Sequence, residues 1–214
     1  MAIRAKKRAK MNNPLVSIIT PTTHDREQFN ERIRRVVADQ DYPNIEHVMC
    51  YDNSRVLGQK MNDMIARAKG DIIVNMDSDD IFAPDWTKKI VQHLLDTDAD
   101  VVGLKKAYFY NEEKGEMWSY TYPNRDTHLH GGTMAHTRDY WLRNPYLSQR
   151  VGYDVAFVSN SYVKSRPFDY SDGFIATMHT GNTSPKNTTG SRWELHQNIP
   201  MSLHTLLADF PLKT

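Results

Sequence analysis

The chain has 214 residues, of which 39% are hydrophobic and 25% charged, and its formal net charge is +1. This length accommodates one domain with a substantial core, and the small net charge excludes a strongly basic or strongly acidic protein. No stretch predicts a membrane span or the apolar core of a signal peptide. The single cysteine, Cys50, excludes an internal disulfide and leads us to expect a cytoplasmic protein.

The first half of the sequence alternates short apolar runs with segments of helical periodicity. Residues 1–13 precede these elements and form a basic tail, expected to be flexible and solvated. Strands are predicted at 15–20, 45–51 and 72–74, and helices at 25–39, 57–68 and from Pro84 onward. Gly70 suits the C-terminal cap of the second helix. This alternation predicts a doubly wound α/β fold with a mainly parallel sheet.

Three carboxylates, Asp77, Asp79 and Asp80, follow the third predicted strand. In extended backbone the side chains of Asp77 and Asp79 point the same way, so both can bind one target. Two hard oxygen ligands at the carboxyl end of a buried strand indicate a site for Mg²⁺ or Mn²⁺ together with a substrate phosphate. A solvated acidic turn is the alternative interpretation. An EF-hand loop is excluded because its sixth position, which requires glycine, would be Phe82.

The second half of the sequence changes character. A hairpin is predicted from 101–110 and 118–122, a strand at 127–137 interrupted by Gly131 and Gly132, and helices at 139–143, 155–163 and 201–210. His128 and His130 alternate as strand neighbours do. No further ligands are spaced for a zinc site, so we expect both imidazoles to be exposed.

Six motifs follow one another in an order typical of one enzyme family. They are Val-Ser-Ile-Ile-Thr-Pro-Thr at 16–22, Gly58 with Lys60 and Asn62, Met-Asp-Ser-Asp-Asp at 76–80, Gly-Gly-Thr-Met-Ala-His-Thr-Arg at 131–138, Gly-Tyr-Asp at 152–154, and His-Thr-Gly-Asn-Thr-Ser-Pro-Lys at 179–186. Together they resemble the family-2 glycosyltransferases of the GT-A fold, over roughly residues 14–186. The resemblance implies a Rossmann-like sheet with a small antiparallel portion on the acceptor side.

The resemblance also implies a domain organisation. Residues 14–186 would form the GT-A domain, with 14–110 as the nucleotide-binding half and 111–186 as the acceptor half. Residues 187–214 would form a C-terminal extension with a short helix.

The resemblance implies roles for particular residues. Asp77, Asp79 and His179 would hold Mn²⁺ or Mg²⁺, and Asp154 would be the general base that deprotonates the acceptor hydroxyl. Trp118, Trp141 and Tyr153 offer apolar faces for sugar rings. Contacts to the nucleotide sugar are expected from Pro21, Thr22, Arg26, Asp52, Lys60, Asn62, Asp77, Ser78 and Gly132.

The expected activity is inverting transfer of a sugar from a nucleotide diphosphate sugar, with a UDP-sugar favoured, to a saccharide or glycoconjugate. Processive family members carry Gln-x-x-Arg-Trp, whereas this chain has Thr189 before Arg192 and Trp193, which favours a single transfer. Structural roles stay open beside the functional ones: a helix cap for Asp154, a turn for Asp52, a solvated charge for Lys60 and a structural imidazole for His179.

Three alternative functions stay open. The basic tail allows a nucleic-acid acceptor, such as a hydroxymethylated DNA base. A nucleotidyltransferase has a similar metal site, although such enzymes usually carry a Gly-rich basic loop where Pro-Thr-Thr-His follows the first strand here. A protein that binds nucleotide sugars without catalysis is the third.

Overall fold

The computed structural model describes residues 13–123, 128–184 and 186–208, so the predicted tail lies outside the described residues except for Asn13. The strands are β1 (Val16–Pro21), β2 (Ile45–Cys50), β3 (Ile72–Asn75), β4 (Ile81–Phe82), β5 (Val101–Leu104), β6 (Lys106–Asn111), β7 (Glu116–Thr121), β8 (Ala135–Thr137), β9 (Ser165–Phe168), β10 (Phe174–Met178) and β11 (Trp193–His196). The helices are α1 (Glu27–Ala38), α2 (Leu57–Arg67), α3 (Trp86–Asp96), α4 (Arg138–Arg143), α5 (Tyr153–Val158) and α6 (Met201–Ala208).

The larger sheet has six strands in the order β2-β1-β3-β8-β5-β9. β1 pairs in parallel with both β2 and β3, and only β8 runs against its neighbours. The carboxyl ends of β1, β2 and β3 therefore meet at one edge, where parallel sheets bind ligands. This arrangement confirms the predicted doubly wound, mainly parallel sheet.

The smaller sheet has five strands in the order β11-β7-β6-β10-β4 and is mostly antiparallel. β4 follows directly after the acidic cluster, so the chain passes from the larger sheet to the smaller one at that point. β11 joins this sheet and α6 packs on it through Leu203 and Leu206, so the described part of the predicted C-terminal extension belongs to the same fold.

Two apolar cores lie on opposite faces of the larger sheet. α1 and α3 cover one face with side chains such as Ile33 and Trp86, and the core on that side continues into the smaller sheet. α2, α4 and α5 cover the other face with side chains such as Met64, Tyr140 and Phe157. The helical spacing of these residues explains why each helix buries one stripe. No helix among the described residues is long and apolar enough to cross a membrane.

The structure corrects five details of the sequence interpretation. The run 101–110 is not one strand, because it changes sheets between β5 and β6, and the expected boundary between the two halves therefore falls inside β6. The predicted strand over 127–137 is reduced to β8, preceded by a 3-10 turn at Gly131–Thr133. The helix predicted at 155–163 begins earlier and ends at Val158.

Gly70 is the fourth correction. α2 ends at Arg67, and its C-cap residue Ala68 has extended backbone, so no glycine cap is used. Gly70 packs instead against β1, where an added Cβ would lie 2.6 Å from the carbonyl oxygen of Leu15.

His130 is buried rather than exposed, since Phe109, Tyr122 and Phe174 pack around its ring.

Candidate functional site

A cavity of about 200 Å³ opens at the carboxyl edge of the larger sheet, between that sheet and the smaller one. Four segments that are distant in sequence form its walls. They contribute Asp77, Asp79 and Asp80 after β3, Gly131 and Gly132 before β8, Gly152, Tyr153 and Asp154 at the start of α5, and Asn182, Thr183, Ser184 and Lys186 after β10.

Asp79 lies at the centre of a polar cluster. Its Oδ2 atom is 2.6 Å from Nη2 of Arg26, 3.0 Å from Nε2 of His179 and 3.2 Å from Nδ2 of Asn182. Burial alone would raise the pKa of Asp79. The hydrogen bond from His179 and the charge of Arg26 outweigh burial and hold that pKa well below its usual range. Asp79 is therefore an ionised carboxylate at any working pH.

Phe29 organises the groups around Asp79. Its ring stacks on the imidazole of His179 with centroids 4.9 Å apart, and the guanidinium of Arg26 lies 4.9 Å from the ring centroid. A second guanidinium, that of Arg32, lies 5.1 Å from the same centroid and donates to the carbonyl oxygen of Asp79. α1 and the residue that precedes it thus carry both the charges and the ring that positions them.

The other two carboxylates of the cluster have the opposite electrostatic character. Burial and the charge of Asp79 raise the pKa of Asp77 to about 7. Burial and the charges of both neighbours also raise the pKa of Asp80, whose Oδ1 atom accepts a hydrogen bond from the backbone N–H of Thr177 at 3.2 Å. The cluster concentrates more negative charge than the surrounding protein compensates.

The donor set is of the type that binds Mn²⁺ or Mg²⁺, namely carboxylate oxygens with one imidazole nitrogen. Asp77, Asp79 and His179 are the residues that would hold the cation, and its charge would offset the repulsion that raises the pKa of Asp77. Within the described ranges, no three His, Cys, Asp or Glu side chains already stand together as a metal cage. Arg26 and Asn182 both donate to Oδ2 of Asp79, so a cation on this oxygen would compete with both side chains.

Asp154 faces the cluster across a pair of glycines. An added Cβ at Gly131 would lie 2.7 Å from Oδ2 of Asp154, and one at Gly132 would lie 2.8 Å from Oδ2 of Asp77. Only glycine lets the chain pass this close to both carboxylates. Asn75, at the end of β3, holds the turn at Gly131–Thr133 against this strand, because its Nδ2 atom donates to the carbonyl oxygen of Gly131 at 2.9 Å.

Burial also raises the pKa of Asp154, although hydrogen bonds from the backbone N–H groups at the start of α5 and the charge of Lys186 oppose the shift. Gly152 precedes this helix in the left-handed region, with φ of 75°, which turns the chain so that Asp154 enters the cavity wall.

A second cavity, of about 310 Å³, lies beside the first and is basic rather than acidic. Arg55 and Lys60 line it, and Leu57, Arg150 and Thr183 line both cavities. The ammonium of Lys60 donates to the carbonyl oxygen of Thr22 at 2.7 Å, and burial lowers its pKa. An elongated anionic ligand would find positive charge at one end of this double cavity and carboxylates at the other.

The protein-family comparison decides the family. The model described as "Glycosyl transferase family 2" matches residues 33–162, which is more than half of the chain. The chain belongs to glycosyl transferase family 2. A search of the curated proteins finds no match.

Solved structures share the fold of this family-2 chain. The mannosyltransferase PcManGT from Pyrobaculum calidifontis, in complex with GDP-Man and Mn²⁺, is 18% identical with a TM-score of 0.56, over 82% of this chain and 62% of that one. TarS from S. aureus, in complex with UDP-GlcNAc, is 16% identical with a TM-score of 0.58, over 79% of this chain and 60% of that one. The chain thus spans about three fifths of the length of these two structures.

The structure brings most of the predicted site residues of this family-2 chain together. Pro21, Arg26, Asp77, Asp79, Gly132 and Asp154 line the first cavity. His179 contacts Asp79, Lys60 lines the second cavity, and the buried hydroxyls of Thr22 and Ser78 lie 3.4 Å apart between β1 and the acidic cluster.

Two predicted donor contacts lie elsewhere. Asp52 is exposed, and it accepts hydrogen bonds from the backbone N–H and the hydroxyl of Ser54 at 2.8 and 2.6 Å. Asn62 uses its side-chain amide to link α2 to the segment around α4: it accepts from the indole of Trp141 and donates to the carbonyl oxygen of Tyr146, both at 2.8 Å. In these positions Asp52 shapes a turn and Asn62 supports a wall of the site.

Several cavity residues carried no individual role in the sequence interpretation. Asn182 and Lys186 lie within the motif at 179–186, so that motif was their only signal. Arg150 and Tyr122 have no motif around them, and only the fold brings them to the cavity.

Proposed function

We propose that this protein is a glycosyltransferase that moves a sugar from a nucleotide diphosphate sugar to an acceptor hydroxyl, with a divalent cation and with inversion. The observation that carries this proposal is the meeting of Asp79 and Asp154 in one cavity with opposite pKa shifts. The pKa of Asp79 is lowered, so this carboxylate is held ionised, whereas the pKa of Asp154 is raised. Two carboxyl groups whose environments separate their pKa values are suited to different tasks.

Asp77, Asp79 and His179 hold the cation in this proposal, and Mn²⁺ or Mg²⁺ would stabilise charge on the leaving diphosphate as a Lewis acid. Arg26, which pairs with Asp79 and lines the same cavity, would add positive charge beside the diphosphate. Lys60 and Arg150 extend the positive potential into the second cavity, where the rest of the nucleotide would lie. Ser78 and Thr22, whose hydroxyls lie 3.4 Å apart between β1 and the acidic cluster, are further nucleotide contacts in this proposal.

Asp154 accepts the proton of the acceptor hydroxyl in this proposal. A hydroxyl has a high pKa, and a base whose own pKa is raised removes its proton more effectively. Attack from the side of Asp154, opposite the diphosphate, inverts the anomeric carbon through an oxocarbenium-like state. Gly131 and Gly132 let the chain pass close to both carboxylates, so that the proposed base and the proposed cation site line one cavity.

A UDP-sugar remains our preferred donor. The two solved structures contain GDP-Man and UDP-GlcNAc, so GDP-mannose is the alternative donor to test. A saccharide or glycoconjugate acceptor and a single, non-processive transfer complete the proposal. The cytoplasmic location rests on the single cysteine. A DNA-base acceptor would depend on the basic tail, outside the described residues, and stays a prediction.

Calorimetric titration with UDP and GDP, with and without Mn²⁺, tests the proposal. We expect one diphosphate to bind only with the metal, and Asp79→Asn to abolish that binding. Asp96→Asn, which changes an exposed carboxylate on α3, is the matched control and keeps wild-type affinity. If neither diphosphate binds with Mn²⁺ or Mg²⁺ present, the proposed function is wrong.

A further inference from the structure

The smaller sheet carries a row of large apolar side chains that starts in the wall of the first cavity. Phe109 on β6 lines the cavity and is paired with Trp118 on β7, which is paired with Leu195 on β11. Directly paired residues in adjacent strands project from the same face of a sheet. The face that closes the cavity therefore continues outward over two more strands.

A second row runs beside the first. Tyr120 on β7 is paired with Trp193 on the edge strand β11, and their ring centroids lie 4.8 Å apart. Trp193 also contacts Phe109 at 4.9 Å, and Tyr120 contacts the cavity residue Tyr122 at 4.8 Å. The second row thus connects to the cavity through ring-to-ring contacts, and the first through the strand pairing of Phe109.

These side chains remain accessible. Leu195 is 49% exposed, and Trp118, Tyr120 and Trp193 are only partly buried against the core. We call Trp118, Tyr120, Trp193 and Leu195 the aromatic shelf. Of the three aromatic residues expected to contact sugars, Trp118 lies on this shelf. Tyr153 is buried, and Trp141 is tied to Asn62 by its indole.

We propose that the aromatic shelf binds the acceptor, and that the acceptor is an oligosaccharide whose second and third sugars stack on the shelf while its terminal hydroxyl enters the cavity. This inference rests on the proposed function and names the acceptor class for the same site. Pyranose rings present flat C–H faces that pack on aromatic rings, and their hydroxyls take hydrogen bonds from polar groups at the rim.

The charges beside the shelf favour a neutral polyol over a nucleic acid. Glu116, on the same face of β7 as the shelf, accepts a hydrogen bond from the indole of Trp118 at 3.2 Å. A carboxylate at this position repels a phosphate backbone but accepts hydrogen bonds from sugar hydroxyls. Lys186, above the ring of Phe109 with Nζ 5.9 Å from its centroid, adds a donor where the shelf meets the cavity.

The test compares saccharide binding by the full chain and by shelf variants. The probes are maltotriose, cellotriose, chitotriose and mannotriose, with the matching monosaccharides, titrated in the presence of Mn²⁺ and UDP or GDP and followed by intrinsic fluorescence and saturation-transfer NMR. We expect at least one trisaccharide to bind, and Trp193→Ala to weaken it about tenfold. Diphosphate affinity should not change. Tyr162→Ala removes an aromatic ring that is 84% exposed and outside the shelf, and should leave trisaccharide binding intact.

Leu195→Glu is a second variant in case Trp193→Ala destabilises the chain, since Leu195 is half exposed and its replacement leaves the core unchanged. Wild-type trisaccharide affinity in both variants, or no trisaccharide binding at all, would overturn the acceptor proposal. Binding of a dT₁₀ oligonucleotide that depends on the shelf would also overturn the proposal and would identify a nucleic acid as the ligand of the shelf. A dimer that Leu195→Glu dissociates would overturn it as well and would identify a second copy of the chain as the partner. If diphosphate binding persists in these cases, the proposed function stands without the shelf.

Discussion

One oxygen of Asp79 interacts with a guanidinium, an imidazole and a carboxamide at the same time. A divalent cation that binds this carboxylate must therefore compete with a positive charge already in place. The Arg26–Asp79 ion pair keeps the site stable without a metal, and it also lowers the affinity of the site for one. In the free protein, the guanidinium of Arg26 thus supplies the positive charge beside Asp79.

We therefore predict that Arg26→Ala tightens Mn²⁺ binding about tenfold in the absence of nucleotide, because the competing charge is gone. Binding of the preferred diphosphate with Mn²⁺ should weaken in the same variant. Electron paramagnetic resonance of free Mn²⁺ measures the first effect, and calorimetry the second. Arg34→Ala, which removes an exposed arginine on α1 that is paired with Glu27, is the control. Weaker or unchanged Mn²⁺ binding would show that Arg26 does not compete.

In the proposed function, the direction of attack depends on Asp154. We predict that Asp154→Asn lowers kcat at least about 100-fold and leaves diphosphate binding unchanged. Because burial raises the pKa of Asp154, the rate of the wild-type enzyme should fall on the acid side as this carboxyl is protonated, at a pH above the ordinary value of 3.8. The dependence of kcat/KM on pH measures this limb. A variant with most of the wild-type rate would assign Asp154 to the helix start alone.

The sequence motifs singled out Asp77, Asp79 and Asp154, and the fold brings these three carboxylates to one cavity, while their roles stay predictions. The motifs were less informative for Asn62. Its partners Trp141 and Tyr146 are 79 and 84 residues away, and no local pattern reveals a hydrogen bond of that range. The sequence interpretation gave Arg150 no role, because only the fold brings it to the two cavities.

The segment before β8 contacts two carboxylates that have different proposed roles. Gly131 packs on Asp154 and Gly132 on Asp77, so neighbouring positions in one short turn support the proposed base and the proposed cation site respectively. A substitution at Gly131 should displace mainly Asp154, and one at Gly132 should displace mainly Asp77, so the effects of the two substitutions should be distinguishable.

We predict that Gly132→Ala abolishes metal-dependent diphosphate binding, because its Cβ would lie 2.8 Å from Oδ2 of Asp77 and must displace it. Gly131→Ala should instead lower kcat and spare diphosphate binding, because the carboxylate it displaces is that of Asp154. Calorimetry and steady-state kinetics on both variants test the separation. Gly190→Ala is the control, since its nearest neighbour would lie at 3.7 Å. Equal losses in both variants would indicate a general disruption of the turn.

The order of the strands and helices was predictable from periodicity, whereas their assignment to sheets was only partly so. The run 101–110 is continuous in apolar pattern, and nothing local shows that the chain leaves one sheet for another between β5 and β6. The insertion of β8 between β3 and β5 is likewise a long-range pairing. Local pattern specifies the face of a strand but not its neighbours.

Three histidines with lowered pKa values make the stability of the fold depend on pH, independently of the chemistry of the site. Burial lowers the pKa of His47 and His136 to about 4 and that of His130 to about 3. An unfolded chain takes up these protons near the ordinary value of 6.5, so the histidines stabilise the fold at higher pH and this contribution is lost as the pH falls towards 4. Asp77 and Asp80, with raised pKa values, have the opposite dependence.

His136 allows this effect to be isolated, because its side chain is fully buried between Tyr146 and Phe157, away from the carboxylates. We predict that the free energy of unfolding of the wild type falls by about 2 to 3 kcal/mol more than that of His136→Phe between pH 7.5 and pH 4.5. Urea denaturation at the two pH values measures the difference. His204→Gln, at an exposed position on α6, controls for the loss of a histidine as such. Parallel curves for wild type and His136→Phe would mean that the buried imidazole gains a proton as readily in the folded chain as in the unfolded one.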